Sequence, residues 1–321
     1  MGEFELIARH FTRAAPAGSA VVLGVGDDCA LLQPTPGHQL AISSDMLVEG
    51  RHFFAGADPE ALGHKALAVN LSDLAAMGAR PLGFTLALAL PSADEAWLAP
   101  FARGLFALAD AHACPLVGGD TTRGPLTISL TVFGELLPGR ALRRDAARAG
   151  DELWVSGRTG EARLALALRR GEPWARGELA EVQARMDRPT PRLALGQALA
   201  ATDGVRAALD VSDGLLGDLG HILKASRVGA EIETAALPVA PALLALDERH
   251  RLECLLAGGD DYELLFTADV SAHADVLTAG ERAGLAVTRI GRLTTAPGLR
   301  LLDARGREQR LSERGFDHFA N

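Results

Sequence analysis

The sequence predicts two domains of the α/β (α+β) class, and three observations carry that reading. The chain has 321 residues, more than one hydrophobic core usually organises. Short β-rich runs and helical periodicities are interspersed throughout. Gly-Gly-Asp occurs once in each half, as Gly118-Gly119-Asp120 and Gly258-Gly259-Asp260, which suggests two distantly similar halves.

Along the chain, Phe4, Ile7 and Phe11 fall at spacings of three and four, predicting a short amphipathic helix over residues 3–13. Residues 21–25 and 40–43 read as short strands, each delivering an acidic loop. A helix is expected over 59–77: Asp58 is a natural N-cap, Pro59 suits the first helical position, and Gly78 closes the run after Met77. Residues 82–90 and 126–136 are β-rich, with a helix at 94–112 and a loop at 117–122 between them. The segment 138–151 changes character, carrying Arg140, Arg143, Arg144 and Arg148 in a glycine-flanked connection. The domain boundary is placed there, giving domains of residues 1–138 and 149–321. The second opens with a strand at 152–156 and a helix from about residue 160; Pro189 and Pro191 break the chain before another helix. A strand at 207–211 runs into Ser212-Asp213-Gly214 and a helix at 215–225, with further strands at 262–267, 286–290 and 299–302.

Composition excludes several classes. A hydrophobic share of 48% with 23% charged residues is that of a folded globular protein rather than a disordered one. No apolar run approaches the roughly 20 residues of a membrane helix, and the acidic start Glu3-Phe4-Glu5 is unlike a signal peptide. Cys29, Cys114 and Cys254 form no CxxC pair, so a reducing cytoplasm is expected. The net charge of −9 argues against nucleic acid. A phosphate ligand would need imported positive charge, which divalent ions supply.

The chemistry lies in the aspartates. They recur at Gly26-Asp27-Asp28, Ser43-Ser44-Asp45, Gly118-Gly119-Asp120-Thr121, Asp210-Val211-Ser212-Asp213-Gly214 and Gly258-Gly259-Asp260-Asp261, and again at Asp73 in an apolar helix. Carboxylates gathered at strand ends repel one another unless cations lie among them, and oxygen donors without a Cys or His cluster suit Mg2+. Asp73 shares a largely apolar face with Val69, Asn70, Ala76 and Met77; a metal ion or a salt bridge to Lys65 would equally satisfy it. In Asp210-Val211-Ser212-Asp213-Gly214, Ser212 could be an N-cap and Asp213 a first-turn acid. The same geometry could instead aim Asp210 and Asp213 at one point and leave amides free for a phosphate. Gly118-Gly119-Asp120 permits close backbone approach to a ligand or simply a tight turn. There is no P-loop, no complete dinucleotide fingerprint, no HExxH and no protein-kinase signature.

Taken in order, these motifs resemble the thiamine-monophosphate kinase family of the AIR-synthetase-like superfamily. The likeness runs through Gly2-Glu3-Phe4, Gly24-Val25-Gly26-Asp27-Asp28-Cys29-Ala30, Ala41-Ile42-Ser43-Ser44-Asp45 and Asn70-Leu71-Ser72-Asp73-Leu74-Ala75-Ala76-Met77-Gly78-Ala79. It continues through Gly118-Gly119-Asp120-Thr121-Thr122, Asp210-Val211-Ser212-Asp213-Gly214-Leu215 and Gly315-Phe316-Asp317-His318-Phe319. The resemblance implies a two-domain AIR-synthetase-like fold, a homodimer whose N-terminal sheets pair across subunits, and ATP-dependent conversion of thiamine monophosphate to thiamine diphosphate. It implies a shell for several Mg2+ ions from Asp28, Ser43, Ser44, Asp45, Asp73, Asp120, Asp210 and Asp213. Gly119, Asp120, Arg144 and Ser212 match nucleotide contacts, and His52, Asp260 and Phe316 match the substrate side. The chain departs from the family pattern at Asp260, where glutamate is usual, and at Ser44, where threonine is common. An aminoimidazole-ribotide-synthetase-like ligase on the same fold, and a non-catalytic divalent-ion or nucleotide-binding regulator, are the competing readings.

Overall fold

A computed structural model describes residues 2–309. The chain divides into two compact units, residues through Leu74 with Ala79–Gly139, and Ala75–Gly78 with residues from Arg140 onward.

The first unit contains α1 (Glu3–His10), β1 (Val21–Leu23), β2 (Leu31–Leu32), β3 (Gln39–Val48), α2 (Pro59–Met77), β4 (Arg80–Leu90), α3 (Glu95–Ala111), β5 (Leu116–Arg123) and β6 (Thr127–Leu136). Its main sheet has the order β3-β6-β4-β5. Only β4 and β5 run parallel, and α3 provides the crossover between them. Helix α2 starts where its residues dictate: the Asp58 carboxylate accepts the Glu60 and Ala61 amides at 3.3 and 3.2 Å. Ala66, Leu67, Ala68, Leu71 and Ala75 are fully buried, as expected of a helix that is apolar almost all round. Gly63 and Gly104 bring α2 and α3 into backbone contact; a Cβ on Gly104 would lie 1.8 Å from the Glu60 carbonyl oxygen.

Two expected loops are strands. The strand expected over 40–43 runs on through the acidic loop expected after it: Ser44 and Asp45 lie within the ten-residue β3, which pairs Ser43, Ser44 and Asp45 with Val132, Thr131 and Leu130 of β6. Gly118 to Thr122 belong to β5, paired with β4. Local preference for turns at Asp, Ser and Gly is overridden here by ladder pairing with an apolar neighbour.

The second unit contains β7 (Glu152–Ser156), α4 (Glu161–Arg170), α5 (Leu179–Asp187), α6 (Leu193–Ala201), β8 (Val205–Asp210), α7 (Leu215–Ser226), β9 (Gly229–Glu233), α8 (Glu248–Ala257), β10 (Leu264–Ala268), α9 (His273–Arg282), β11 (Val287–Thr294), β12 (Gly298–Leu302) and β13 (Glu308–Gln309). They build a sheet of order β13-β12-β9-β11-β7-β10-β8, antiparallel except for β9 and β12. The neighbouring strands β7 and β10 are buried at every position. On one face Leu153, Val155, Leu209 and Leu265 join Leu164 and Leu219 in the core. Trp154 and Phe266, their alternates along the strands, stack with ring centroids 6.2 Å apart. Among the described residues no helix is long and apolar enough to cross a membrane.

Glu263, fully buried just before β10, ties several elements of this unit together. It accepts from Arg185 at 2.7 Å, from Arg192 through two guanidinium nitrogens at 2.8 and 2.5 Å, and from the Ser156 hydroxyl at 2.6 Å. Burial would lower the Arg185 pKa, but Glu263, with Glu161 and Asp261 behind it, raises it above its ordinary value. Removing the carboxylate leaves two arginine charges with this partner gone. Glu263→Ala is therefore expected to lose about 3–5 kcal/mol of stability in urea unfolding; a loss below about 1 kcal/mol would show the network to be dispensable.

Candidate active site

In the first unit, α2 and β3 bring predicted residues together. The Ser43 hydroxyl donates to Asp73 Oδ2 at 2.5 Å. Two residues along the strand, the Asp45 amide donates to Asn70 Oδ1 at 3.0 Å, while Asn70 Nδ2 donates to the Ala66 carbonyl at 2.9 Å. Asn70 is almost completely buried. Its amide fixes the strand against the helix, so Ser43, Asp45 and Asp73 are held in one neighbourhood. No site role was expected for Asn70; the available signal was its position three residues before Asp73 on the same helical face.

Ser44 belongs to the other face of the sheet, where its hydroxyl donates to the Leu130 carbonyl at 2.9 Å and pairs with Thr131 Oγ1 at 3.0 Å. Asp120 is exposed, and the register sets it in line with Ala87, Ser129 and Met46. The Ser43 row instead continues through Val132, Phe84 and Leu116. Asp28 lies in an exposed loop, its amide donating to Asp27 Oδ1 at 2.8 Å. His52 closes a turn after β3, with Nδ1 accepting from the Val48 amide at 3.0 Å.

In the second unit, the segment after β8 and the segment before β10 are joined through their backbones. Val211 accepts from the Tyr262 amide and donates to the Glu263 carbonyl, and Ser212 accepts from the Asp260 amide, each at 2.8 Å. Asp210, Ser212, Asp213 and Asp260 are thereby collected at one end of the sheet. Asp260 has a left-handed φ of 68°, a conformation that costs a non-glycine residue energy, and Tyr262 donates its hydroxyl to Asp260 Oδ1 at 3.0 Å. The next residue, Asp261, is turned inward: it is buried and accepts the Gly160 amide with both oxygens, at 2.9 and 2.8 Å. Burial pushes its carboxyl well above the usual range, against the Gly160 bond and the charge of Arg185.

The amides of Ser212 and Asp213 are not left open for a phosphate, as the sequence had allowed. Both donate to Asp218 Oδ2 at 3.0 Å. Asp218 is buried in the first turn of α7, whose N-cap is Gly214 rather than Ser212. Burial pushes its pKa up to about 7, although the Asp213 and Ser212 amides and the charge of Arg144 favour the ionised form. Asp218 was missed at the sequence level, although an acid four residues into a helix that follows Ser-Asp-Gly is the available signal. Arg144 is exposed, and its carbonyl accepts from the Ser226 hydroxyl at 2.7 Å. Phe316 lies outside the described residues.

Among the described residues no three His, Cys, Asp or Glu side chains form a ready metal cluster. The donors that are brought together are carboxylate and hydroxyl oxygens, a chemistry that fits a hard divalent cation.

Family models agree with this arrangement of two units. The model for "AIR synthase related protein, N-terminal domain" matches residues 26–136, and that for the corresponding C-terminal domain matches residues 148–303. The thiamine-monophosphate kinase of Escherichia coli strain K12 is 45% identical over 327 residues, covering 99% of this chain and 98% of that protein. The chain belongs to the thiamine-monophosphate kinase family. Its two-domain AIR-synthase-like fold is also that of the solved thiamine-monophosphate kinase from Stenotrophomonas maltophilia K279a. That structure has a TM-score of 0.83 and 46% identity, with 89% of this chain and 92% of that one covered. A second family structure, described as AaThiL complexed with AMPPCP and TMP, has a TM-score of 0.75 and 32% identity over 89% of each chain.

One local constraint is specific enough to test. Gly119 has φ 152°, and a Cβ there would stand 1.9 Å from the Leu86 carbonyl oxygen. Gly119→Ala should therefore displace β5 from β4 and cost about 1–3 kcal/mol, read by urea unfolding. Wild-type stability would mean that the strand pair accommodates a methyl group.

Proposed function

We propose that this protein transfers the γ-phosphoryl group of ATP directly to thiamine monophosphate, giving thiamine diphosphate and ADP in thiamine diphosphate biosynthesis. The observation that carries the reading is the end-to-end relationship to thiamine-monophosphate kinases, 45% identical over 99% of the chain. The related structure holding AMPPCP and TMP supports the pairing of an ATP-type nucleotide with a phosphate acceptor.

The chemistry asks little of a protein base. The attacking atom is a phosphate oxygen of the substrate that is already ionised at neutral pH. The barrier is the approach of two anions, and positioning with charge neutralisation lowers it. Magnesium, when bound, supplies that neutralisation and aligns the in-line transfer. Asp28, Ser43, Ser44, Asp45, Asp73, Asp120, Asp210 and Asp213 are proposed to supply ligands to several such ions rather than to one. Ser43 orients the Asp73 carboxylate by their hydrogen bond, and Asn70 fixes the backbone at Asp45. Gly119, Asp120, Arg144 and Ser212 are assigned to the nucleotide. His52, Asp260 and Phe316 are assigned to thiamine monophosphate, where Phe316 would offer a ring face to the thiazolium cation. Residues 1–138 serve metal, ATP and dimer contacts, and residues 149–321 form the C-terminal AIR-synthetase-like domain. A reducing cytoplasm suits the free Cys29, Cys114 and Cys254.

The homodimer is part of the proposal, and β3 supports it. This edge strand leaves Leu40, Ile42 and Met46 exposed at 52, 61 and 55%. An apolar row beside an open sheet edge is a surface that a second copy would cover.

Incubation with Mg-ATP and thiamine monophosphate should yield thiamine diphosphate; folded, nucleotide-binding protein without product would sink the kinase reading. Asp73→Asn and Asp120→Asn should each cut kcat by at least about 100-fold while leaving the circular dichroism spectrum intact. Near-normal turnover would remove that residue from the proposed shell. Ile42→Lys should convert a dimer to a monomer in analytical ultracentrifugation, and an unchanged dimer would place the interface elsewhere.

A further inference from the structure

The least expected arrangement in the second unit is a carboxylate bound to the backbone of the segment that carries the proposed ligands. Asp218 Oδ2 accepts two consecutive amides, those of Ser212 and Asp213, at 3.0 Å each. One oxygen serving both N–H groups forces them to converge and fixes the turn between them. The amide of Asp218 is itself anchored to the Gly214 carbonyl at 3.0 Å, so the acid and the segment close a small ring at the start of α7. The other end of the Ser212 residue is held as well, its carbonyl accepting the Asp260 amide at 2.8 Å. Ser212 is thus gripped by Asp218 on its nitrogen and by Asp260 on its oxygen.

We propose that Asp218 is a positioning residue for the phosphoryl transfer, setting the path of residues 210–214 and, through the Ser212 carbonyl, the place of Asp260. The proposal rests on the kinase reading above and deepens it. Asp218 touches backbone rather than substrate, and it is only 5% exposed. Its effect passes through Asp213 and Ser212 on one side and Asp260 on the other. A carboxylate that merely capped α7 would stabilise the helix and leave ligand affinity untouched. A carboxylate that shapes the segment governs how well the Asp210 and Asp213 side chains meet a cation, as partners of ligand residues commonly do.

The test compares Asp218→Ala and Asp218→Asn with the wild type, because an asparagine carbonyl oxygen can still accept both amides. In the metal-free, nucleotide-free protein, alanine should accelerate hydrogen exchange at the Ser212 and Asp213 amides, and asparagine should restore protection. In the kinase assay, alanine should raise the half-saturating Mg2+ concentration or lower kcat by about 10- to 100-fold per folded molecule. Asparagine should return both to within about threefold of wild type. A folded alanine variant with unchanged half-saturation and kcat overturns the proposal, as does a loss that follows only the folded fraction. If the alanine variant does not fold, asparagine decides. Protected amides with near-wild-type Mg2+ dependence support the proposal, and unprotected amides with unchanged Mg2+ dependence overturn it. A wild-type protein that makes no thiamine diphosphate defeats the kinase reading separately, and the metal-free exchange comparison then still judges whether Asp218 sets the segment.

Discussion

The buried contact between Glu263 and the arginines Arg185 and Arg192 is the constraint on which the second unit depends. A carboxylate removed from water is stable only when its oxygens are satisfied, and here the donors come from α5, the segment before α6 and the end of β7. The position of Glu263 in the chain makes the consequence wider than stability. The three residues before it include Asp260 and Asp261, and its own carbonyl receives the Val211 amide. Where the ion cluster sits, the proposed substrate segment and the segment after β8 must follow. The polar interior of this unit is therefore the base from which its chemistry-bearing backbone is hung.

The two units solve the problem of placing acids in different ways. In the first, regular structure does it: a strand presents Ser43 and Asp45, a helix presents Asp73, and the Asn70 amide locks the two at a fixed separation. In the second, irregular backbone does it, with short loops clasping each other through main-chain hydrogen bonds. Rigid elements tolerate carboxylates because their backbone groups are already paired. Loops need an added acceptor, and Asp218 provides one.

Much of the first arrangement was legible in the sequence. Asp58, Pro59 and the apolar run to Met77 marked α2 with its bounds, because capping and periodicity are local signals. The same local reasoning ended a strand at Ser43 and read Gly118-Gly119-Asp120 as a loop, where β3 and β5 run straight through. Serine, aspartate and glycine have weak strand preference, and only pairing with β6 and β4, distant in sequence, extends those strands. The helices α8 and α9 were not anticipated, and the Asp218 contact was invisible for a related reason. Spacing places an acid in the first turn of a helix but does not say which amides it will accept. The motifs quoted for the family carried the functional reading, since no single aspartate turn could separate a cation site from an ordinary cap.

The occupied start of α7 has a consequence for how the molecule manages charge. A helix terminus of this kind can serve as a standing receptor for anions, and in this protein that receptor is filled from within by Asp218. With a formal charge of −9 overall, the chain then offers incoming phosphates little fixed attraction at this point. In the proposed reaction, cations drawn from solution would supply that attraction. On the proposed magnesium-dependent transfer, turnover would then follow the free divalent-ion level of the surroundings, so that ionic state itself would set the pace of the reaction.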